Sequence, residues 1–202
     1  MLLAALTLAQ LLRDCAPNVD PATMTAIVRV ESGGNSLALR DNTLNRVFLP
    51  VNALEATAWA RQLLGLGHSL DIGLSQVNSA NLPKLGISVR DAFDPCVNLR
   101  AGSTILGADY GAAANQFGSG QYALRRALGA YNSGSLYAGQ GYVNAILAAA
   151  GLRPEIDYPA LAAKKPARTA AKRKGRVAAA GPRPEYTLQH TAGSPVVVIV
   201  GS

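Results

Sequence analysis

Apolar residues recur at helical spacing in several segments of this chain, and helix start signals precede most of them. Helices are predicted after four such signals: Asp20-Pro21, Asn52, Asp94-Pro95 and Ser119-Gly120. The third helix is expected to be long, because apolar residues continue at helical spacing as far as Tyr110. The pattern therefore predicts a mostly α-helical fold.

Glu31 lies in the last turn of the helix that begins at Pro21. The residues three, four and seven positions before it are Val28, Ile27 and Met24, so the carboxyl group shares an apolar face. Burial on that face and the negative end of the helix dipole both raise the pKa of a carboxyl group. An acid that stays protonated near neutral pH is suited to general acid catalysis. The alternative is an acid at the helix rim that simply reaches water.

Two later segments supply neutral hydrogen-bonding side chains of the kind that bind sugars. Residues 73–78 read Gly-Leu-Ser-Gln-Val-Asn, and residues 130–134 read Ala-Tyr-Asn-Ser-Gly at the end of another helical run. Sugar hydroxyl and acetamido groups need uncharged donors and acceptors, and aromatic rings cover the apolar faces of sugars. Each segment alone is weak evidence, since Asn, Ser and Gly are ordinary turn residues.

Four ordered motifs together carry a resemblance to a known family. They are Glu-Ser-Gly-Gly-Asn at 31–35, the segments at 73–78 and 130–134, and Tyr-Val at 142–143. They resemble the soluble lytic transglycosylases over roughly residues 8–150. The segments at 15–17, 79–82 and 91–99 favour the branch that accompanies type IV secretion and conjugation systems.

The resemblance implies a lysozyme-like SLT-type domain, placed at residues 1–153, that cleaves the β-1,4 bond between N-acetylmuramic acid and N-acetylglucosamine in peptidoglycan. It implies that Glu31 protonates the glycosidic oxygen and then removes a proton from the muramoyl 6-hydroxyl, which closes a 1,6-anhydro ring without water. Tyr142 is expected to reach the Glu31 carboxyl group. Implied substrate-binding residues are Ser32, Ser75, Gln76, Asn78, Tyr131, Asn132 and Tyr142. Core packing is the alternative role for both tyrosines, and many relatives outside the branch have Met in place of Ser75.

A second carboxylate would point to hydrolysis, because hydrolytic glycosidases usually hold two, roughly 5–9.5 Å apart. Glu55 follows Asn52 by three positions and is explained as part of a helix cap. Asp41 lies in a polar run and is expected to be solvated. Asp71 remains the rival to Glu31, although it could instead fix the loop that follows it. We expect one catalytic acid, with a hydrolytic muramidase and a non-catalytic peptidoglycan-binding protein as the alternatives.

The chain has two cysteines, Cys15 and Cys96. They can form one disulfide in an oxidising compartment such as the periplasm, and two buried free thiols are the alternative. Neither has a nearby Cys or His, so no zinc site is expected, and no cofactor is expected either. His68 is expected to lie in a loop.

The N-terminal residues 1–12 are apolar but lack the basic start and clear cleavage site of a secretory signal. They are also too short to span a bilayer. We expect them to form the first helix of the domain, with an atypical signal as the alternative, which leaves the route to a periplasmic location unexplained.

The composition changes after Pro154. Of a net charge of +7, residues 154–202 contribute eight basic and three acidic side chains, which predicts a flexible, disordered basic tail. A solvated tether, contact with anionic wall polymers or lipid, and contact with DNA are the competing roles. Specific nucleic-acid binding is not expected, because no aromatic residues interleave with the charges. Residues 195–200 are β-prone and could join a partner's sheet edge, and secretion-system components are the expected partners.

Overall fold

The computed structural model describes residues 5–152, and side chains from residue 8 onward. The predictions for the basic tail and for its β-prone end lie outside the described residues. Seven α-helices are found within the described range: α1 Ala5–Cys15, α2 Pro21–Ser32, α3 Ala53–Gly65, α4 Leu82–Leu85, α5 Pro95–Phe117, α6 Gln121–Ser133 and α7 Gln140–Ala149. Two short 3₁₀ turns lie at Ser79–Asn81 and Asp91–Phe93. The prediction of a mostly α fold is confirmed.

Capping hydrogen bonds confirm three of the four predicted helix starts, those of α2, α3 and α5. The fourth helix, α6, begins after Gly120 as predicted but without a side-chain cap. The Asp20 side chain accepts from the amide of Ala22 at 2.8 Å at the start of α2. At α3, Asn52 and Glu55 form a reciprocal cap: Asn52 accepts from the Glu55 amide at 2.9 Å, and Glu55 accepts from the preceding Val51 amide at 2.7 Å. Such caps satisfy amide groups that would otherwise lack partners.

A small antiparallel sheet, which the sequence pattern did not predict, is formed by strands that lie between α2 and α5 in the sequence. Its strands are β1 Leu39–Asp41, β2 Arg46–Phe48, β3 Leu70–Ile72 and β4 Val77–Asn78, in the order β2-β1-β3-β4. Strand β1 buries its two end residues and exposes the middle one, Arg40. Strands of two or three residues are too short to show an alternation of apolar and polar residues, so the sequence pattern does not predict them.

The expectation that Asp41 is solvated is wrong. Its side chain is fully buried and accepts hydrogen bonds from the amides of Thr43 at 2.8 Å and Leu44 at 3.0 Å. His68, in a loop as predicted, places its Nδ1 2.6 Å from the Asp41 Oδ2. Burial raises the pKa of Asp41, but the bonds from His68 and the two amides outweigh burial and lower the pKa below its ordinary value.

Two apolar clusters form the core. One lies among α1, α2, α5, α6 and α7, and the other lies between the sheet, α3 and α5. Their largest fully buried members include Met24, Ile27, Leu39, Ile72 and Leu106. The Tyr131 ring packs against both clusters, so it lies where the helical part meets the sheet. None of the described helices is both long and apolar enough to span a membrane.

A disulfide joins Cys15, at the end of α1, to Cys96 in the first turn of α5. The two cysteines are 81 positions apart, so the bond closes a long loop that contains α2 and the whole sheet. Closing a long loop restricts the unfolded chain and thereby stabilises the folded one.

We expect the double variant Cys15→Ala/Cys96→Ala to lose about 2–5 kcal/mol of unfolding free energy, because the unfolded chain regains the entropy of the open loop. Urea denaturation followed by circular dichroism measures this loss. Reduction should destabilise the wild type by a similar amount and leave the double variant unchanged. Equal stability of the wild type and the double variant would contradict the prediction.

Candidate active site

Glu31 is the penultimate residue of α2, and its side chain is partly buried. Met24, Ile27 and Val28, which share its helix face, are fully buried in the core. The helix ends directly afterwards, where Gly33 adopts a left-handed conformation with φ of 61° that favours glycine. The carboxyl group therefore stands at the point where an apolar helix face meets the surface.

Tyr142 of α7 holds the Glu31 carboxyl group. Its hydroxyl donates a hydrogen bond of 2.6 Å to the Glu31 Oε1 across 111 positions of sequence, which confirms the expectation that Tyr142 reaches this carboxyl group. No other hydrogen bond to the carboxyl group is made by the residues that the structure describes. The Oε2 atom therefore has no hydrogen-bond partner in the described part of the chain, and Glu31 lines a groove.

Burial raises the pKa of Glu31 from 4.5 to about 7. The hydrogen bond from Tyr142 lowers this pKa, the negative charge of Asp71 raises it, and the positive charge of Arg40 lowers it. Burial also raises the pKa of Tyr142, so this residue remains the donor in the pair. The acid and carboxylate forms of Glu31 are therefore both populated near neutral pH.

Glu31 opens into a polar groove of about 420 Å³. The groove is lined by Glu31, Arg40, Asn42, Asp71, Gln76, Val77, Asn78, Asn81, Ile105, Tyr131 and Asn132. Among the sequence-predicted site residues, the structure thus brings Glu31, Gln76, Asn78, Tyr131 and Asn132 to one groove, and Tyr142 joins them through Glu31. Their roles toward a substrate stay predictions.

Asp71 lines the same groove, and two amide side chains hold it in place. Its Oδ2 accepts from Asn42 Nδ2 and its Oδ1 accepts from Asn78 Nδ2, each at 2.7 Å. The Asn78 side-chain oxygen in turn accepts from the amide of Ala80 at 3.1 Å. This network matches the loop-fixing role that the sequence left open for Asp71.

Gln76 has an unusual backbone conformation for a residue other than glycine, with φ of 46°. Its Nε2 donates to the carbonyl oxygens of Gly73 at 2.9 Å and Ala38 at 3.2 Å. These two bonds occupy the amide nitrogen, so the side-chain oxygen is the atom left to accept a hydrogen bond in the groove.

Ser75 and Ser32, expected to contact substrate, do not line the groove. The Ser75 side chain is fully buried, because its loop packs so closely on α5 that a Cβ at Gly102 would come within 2.6 Å of the Ser75 Cβ. Its backbone carbonyl accepts from the Tyr131 hydroxyl at 2.7 Å. The Ser32 hydroxyl donates to the carbonyl of Leu74 at 2.8 Å, which ties the end of α2 to the same loop. The roles of both serines toward a substrate stay predictions.

Arg40 and Asn42 also line the groove, although the sequence pattern did not predict them as site residues. They flank the buried Asp41 at the β1 edge of the groove, and without a predicted strand no pattern assigned them a face. Asn81 was part of a segment used for the family resemblance, but it was not named as a site residue.

The model of the transglycosylase SLT domain family matches residues 12–141, which includes Glu31 and both polar segments of the groove. The chain belongs to the transglycosylase SLT domain family. The predicted SLT-type fold is thereby confirmed, whereas the boundary placed at residue 153 stays a prediction.

Relatives of this SLT-domain chain include proteins with type IV secretion names. It is 41% identical to "Protein virB1" of Agrobacterium fabrum (strain C58) over 68% of this chain and 57% of that protein. It is 39% identical to "Type IV secretion system protein virB1" of Brucella abortus biovar 1 over 74% of this chain and 67% of that protein. The chain thus spans between half and two thirds of the length of these relatives. No solved structure matches the chain significantly. The resemblance to the type IV secretion branch is confirmed.

The Glu31→Gln variant should become progressively more stable than the wild type as pH rises from about 4.5 to 7. The folded state holds the Glu31 proton to higher pH than the unfolded state, so the wild type loses stability through this window. The difference between Glu31→Gln and the wild type should grow by up to about 3 kcal/mol and stay constant above the window. Urea denaturation at pH 4 to 8 measures it, and the comparison at pH 4 is the internal control.

Replacement of Tyr142 by Phe should raise the pKa of Glu31 above its wild-type value, because it removes the hydrogen bond that stabilises the carboxylate. Titration of the Glu31 side-chain carboxyl ¹³C resonance measures the change. Tyr137→Phe is the matched control, since Tyr137 is 60% exposed and bonds to Gln116 instead. An unchanged or lowered pKa in Tyr142→Phe would show that this hydrogen bond does not hold the carboxylate.

Proposed function

We propose that the protein is a peptidoglycan lytic transglycosylase in which Glu31 is both the catalytic acid and the catalytic base. The observation that carries the proposal is a single partly buried carboxyl group with a pKa of about 7, bonded to Tyr142 and opening into a polar groove. Membership of the transglycosylase SLT domain family supports the reaction class.

In the proposed reaction, protonated Glu31 donates its proton to the glycosidic oxygen between N-acetylmuramic acid and N-acetylglucosamine. The bond from this oxygen to the anomeric carbon breaks, and the N-acetylglucosamine side leaves with the proton. The Glu31 carboxylate then removes a proton from the muramoyl 6-hydroxyl, whose oxygen bonds to the anomeric carbon. This closes a 1,6-anhydro ring and returns Glu31 to its protonated form.

A pKa near 7 suits both proton transfers, because neither form of Glu31 is then strongly disfavoured at neutral pH. The Tyr142 hydrogen bond stabilises the carboxylate formed in the first transfer and fixes its Oε1. The Oε2 atom is the one left to face the glycosidic oxygen. Tyr142 is therefore a positioning residue in this mechanism.

The state of Asp71 supports transglycosylation over hydrolysis. Hydrolytic glycosidases usually use a second carboxylate as nucleophile or base, and Asp71 is the other carboxylate among the described residues that line the groove. Both of its oxygens already accept amide hydrogen bonds from Asn42 and Asn78. These bonds hold the carboxylate in place on the wall of the groove. A hydrolytic muramidase with Asp71 as partner is the second candidate, and a non-catalytic glycan-binding protein is the third.

The proposed setting is the periplasm, where the enzyme would open peptidoglycan locally for a type IV secretion or conjugation apparatus. The names of the virB1 relatives support the link to type IV secretion. The Cys15–Cys96 disulfide supports an oxidising compartment, since such bonds persist there and are rare in the cytosol. Contact with secretion components through the basic tail is part of this proposal.

Mass spectrometry of soluble muropeptides released from purified sacculi tests the reaction. The wild type should release 1,6-anhydro-muropeptides, and Glu31→Gln should release none, because the amide keeps the shape of the side chain but is not an acid. Asp71→Asn is the matched control, since it replaces the other carboxylate of the groove by an amide of the same shape. It should still yield anhydro products.

Other product patterns identify the rival functions. Reducing-end products that disappear in Asp71→Asn would establish a hydrolase with two carboxylates. Binding to sacculi without release of products by the wild type would favour the non-catalytic role. Normal cleavage by Glu31→Gln would remove Glu31 from the mechanism.

A further inference from the structure

Arg40 is a charged residue of the groove that the proposed reaction does not use. It is the middle residue of β1, it is exposed, and it lines the groove together with Glu31 and Asp71. Among the described residues, it is the one cationic side chain in that lining. The presence of this cation needs an explanation, because the binding of neutral sugars does not require a positive charge.

The sheet places Arg40 opposite Asp71, yet the two side chains do not form an ion pair. Arg40 on β1 is in register with Asp71 on β3, a position where opposite charges normally attract. Both oxygens of Asp71 instead accept amide hydrogen bonds from Asn42 and Asn78. In the part of the chain that the structure describes, no ion pair joins Arg40 to a carboxylate. The Arg40 charge therefore has no carboxylate partner there.

A neighbouring turn residue orients the Arg40 side chain. Its Nη2 donates to the side-chain oxygen of Asn45 at 3.1 Å. Asn45 lies in the turn between β1 and β2 with φ of 51°, a left-handed conformation that Asn tolerates better than most residues. A guanidinium group carries five N–H donors in a planar fork. The bond to Asn45 leaves donors for a bidentate contact with an anion.

We propose that Arg40 binds a carboxylate carried by the muramoyl residues of the glycan, so that the groove selects muramoyl glycan over neutral N-acetylglucosamine polymers. This inference rests on the proposed function. The planar guanidinium fork matches a carboxylate in geometry and charge. The carboxylate has two sources: the lactyl group of muramic acid where the peptide stem is absent, and the stem's own carboxylates where it is present.

Binding at Arg40 would also favour the acid form of Glu31. The Arg40 charge lowers the pKa of Glu31. A bound carboxylate neutralises that charge, so Glu31 would keep its proton more readily when the correct glycan occupies the groove. Recognition of the substrate and protonation of the acid are thus coupled through one side chain.

Calorimetric binding measurements on the full chain carrying Glu31→Gln, which prevents turnover, test the proposal. Three oligomers of matched length are compared: muramoyl glycan with peptide stems, the same glycan after amidase treatment, and a neutral N-acetylglucosamine oligomer. Adding Arg40→Gln should weaken binding of a carboxylate-bearing glycan about tenfold, as expected for the loss of a charge-assisted contact at an exposed site. Binding of the neutral oligomer should not change.

Arg46→Gln is the matched control. It removes the same charge from the adjacent strand β2, where Arg46 lies over the Phe48 ring and does not line the groove. The basic tail is present in every variant, so its attraction to anionic glycan cancels in the comparison. Arg46→Gln should bind all three oligomers as its Glu31→Gln parent does, and Arg40→Lys should retain part of the affinity for the anionic glycan.

The three oligomers also distinguish the sources of the carboxylate. A loss confined to glycan with stems assigns the contact to the stem, and a loss confined to amidase-treated glycan assigns it to the lactyl group. The proposal is overturned if Arg40→Gln leaves anionic binding unchanged, weakens neutral binding equally, or has no more effect than Arg46→Gln. Binding to none of the oligomers would overturn it too. Arg40-dependent binding without anhydro products from the wild type would retain this inference and reject the proposed reaction.

Discussion

Burial of the Glu31 carboxyl group at the end of α2 is the constraint on which the rest of the site depends. A carboxylate is costly to hold beside an apolar helix face, so the group retains its proton to about pH 7. The hydrogen bond from Tyr142 of α7, 111 positions later in the chain, stabilises the carboxylate and keeps the pKa of Glu31 from rising further. The packing of α7 against α2 is therefore a condition for the proposed chemistry as well as for the fold.

The helical side and the sheet side of the groove contribute different chemical groups. The helical side supplies the acid and its tyrosine partner, and the sheet side supplies neutral amides and two opposite charges. Those charges act on Glu31 in opposite directions, since Asp71 raises its pKa and Arg40 lowers it. Burial consequently remains the main cause of the shift. The acidity of Glu31 is therefore set mainly by its burial at the end of α2, and the charges of the sheet adjust it.

The helical part and the acid were predictable because their causes are local. Caps such as Asp20 and the 3.6-residue period place Glu31 on an apolar face within a dozen residues of sequence. The sheet was not predictable, because its strands have two or three residues each and show no readable period. Burial of Asp41 depends on His68, 27 positions away, and burial of Ser75 depends on the close approach of Gly102. Contacts of this kind between distant residues leave no local pattern.

Asp41 and His68 matter to the groove although neither lines it. Side chains alternate along a strand, so a slip of one residue in β1 would turn Arg40 inward and Asp41 outward. A buried Asp41 that accepts bonds from His68 and two turn amides can satisfy its charge in one register only. That register places Arg40 opposite Asp71 and at the groove, beside Asn42. The pair of Asp41 on β1 and His68 in the loop before β3 thus determines which charges line the groove, while the pKa of Glu31 is controlled from the helices.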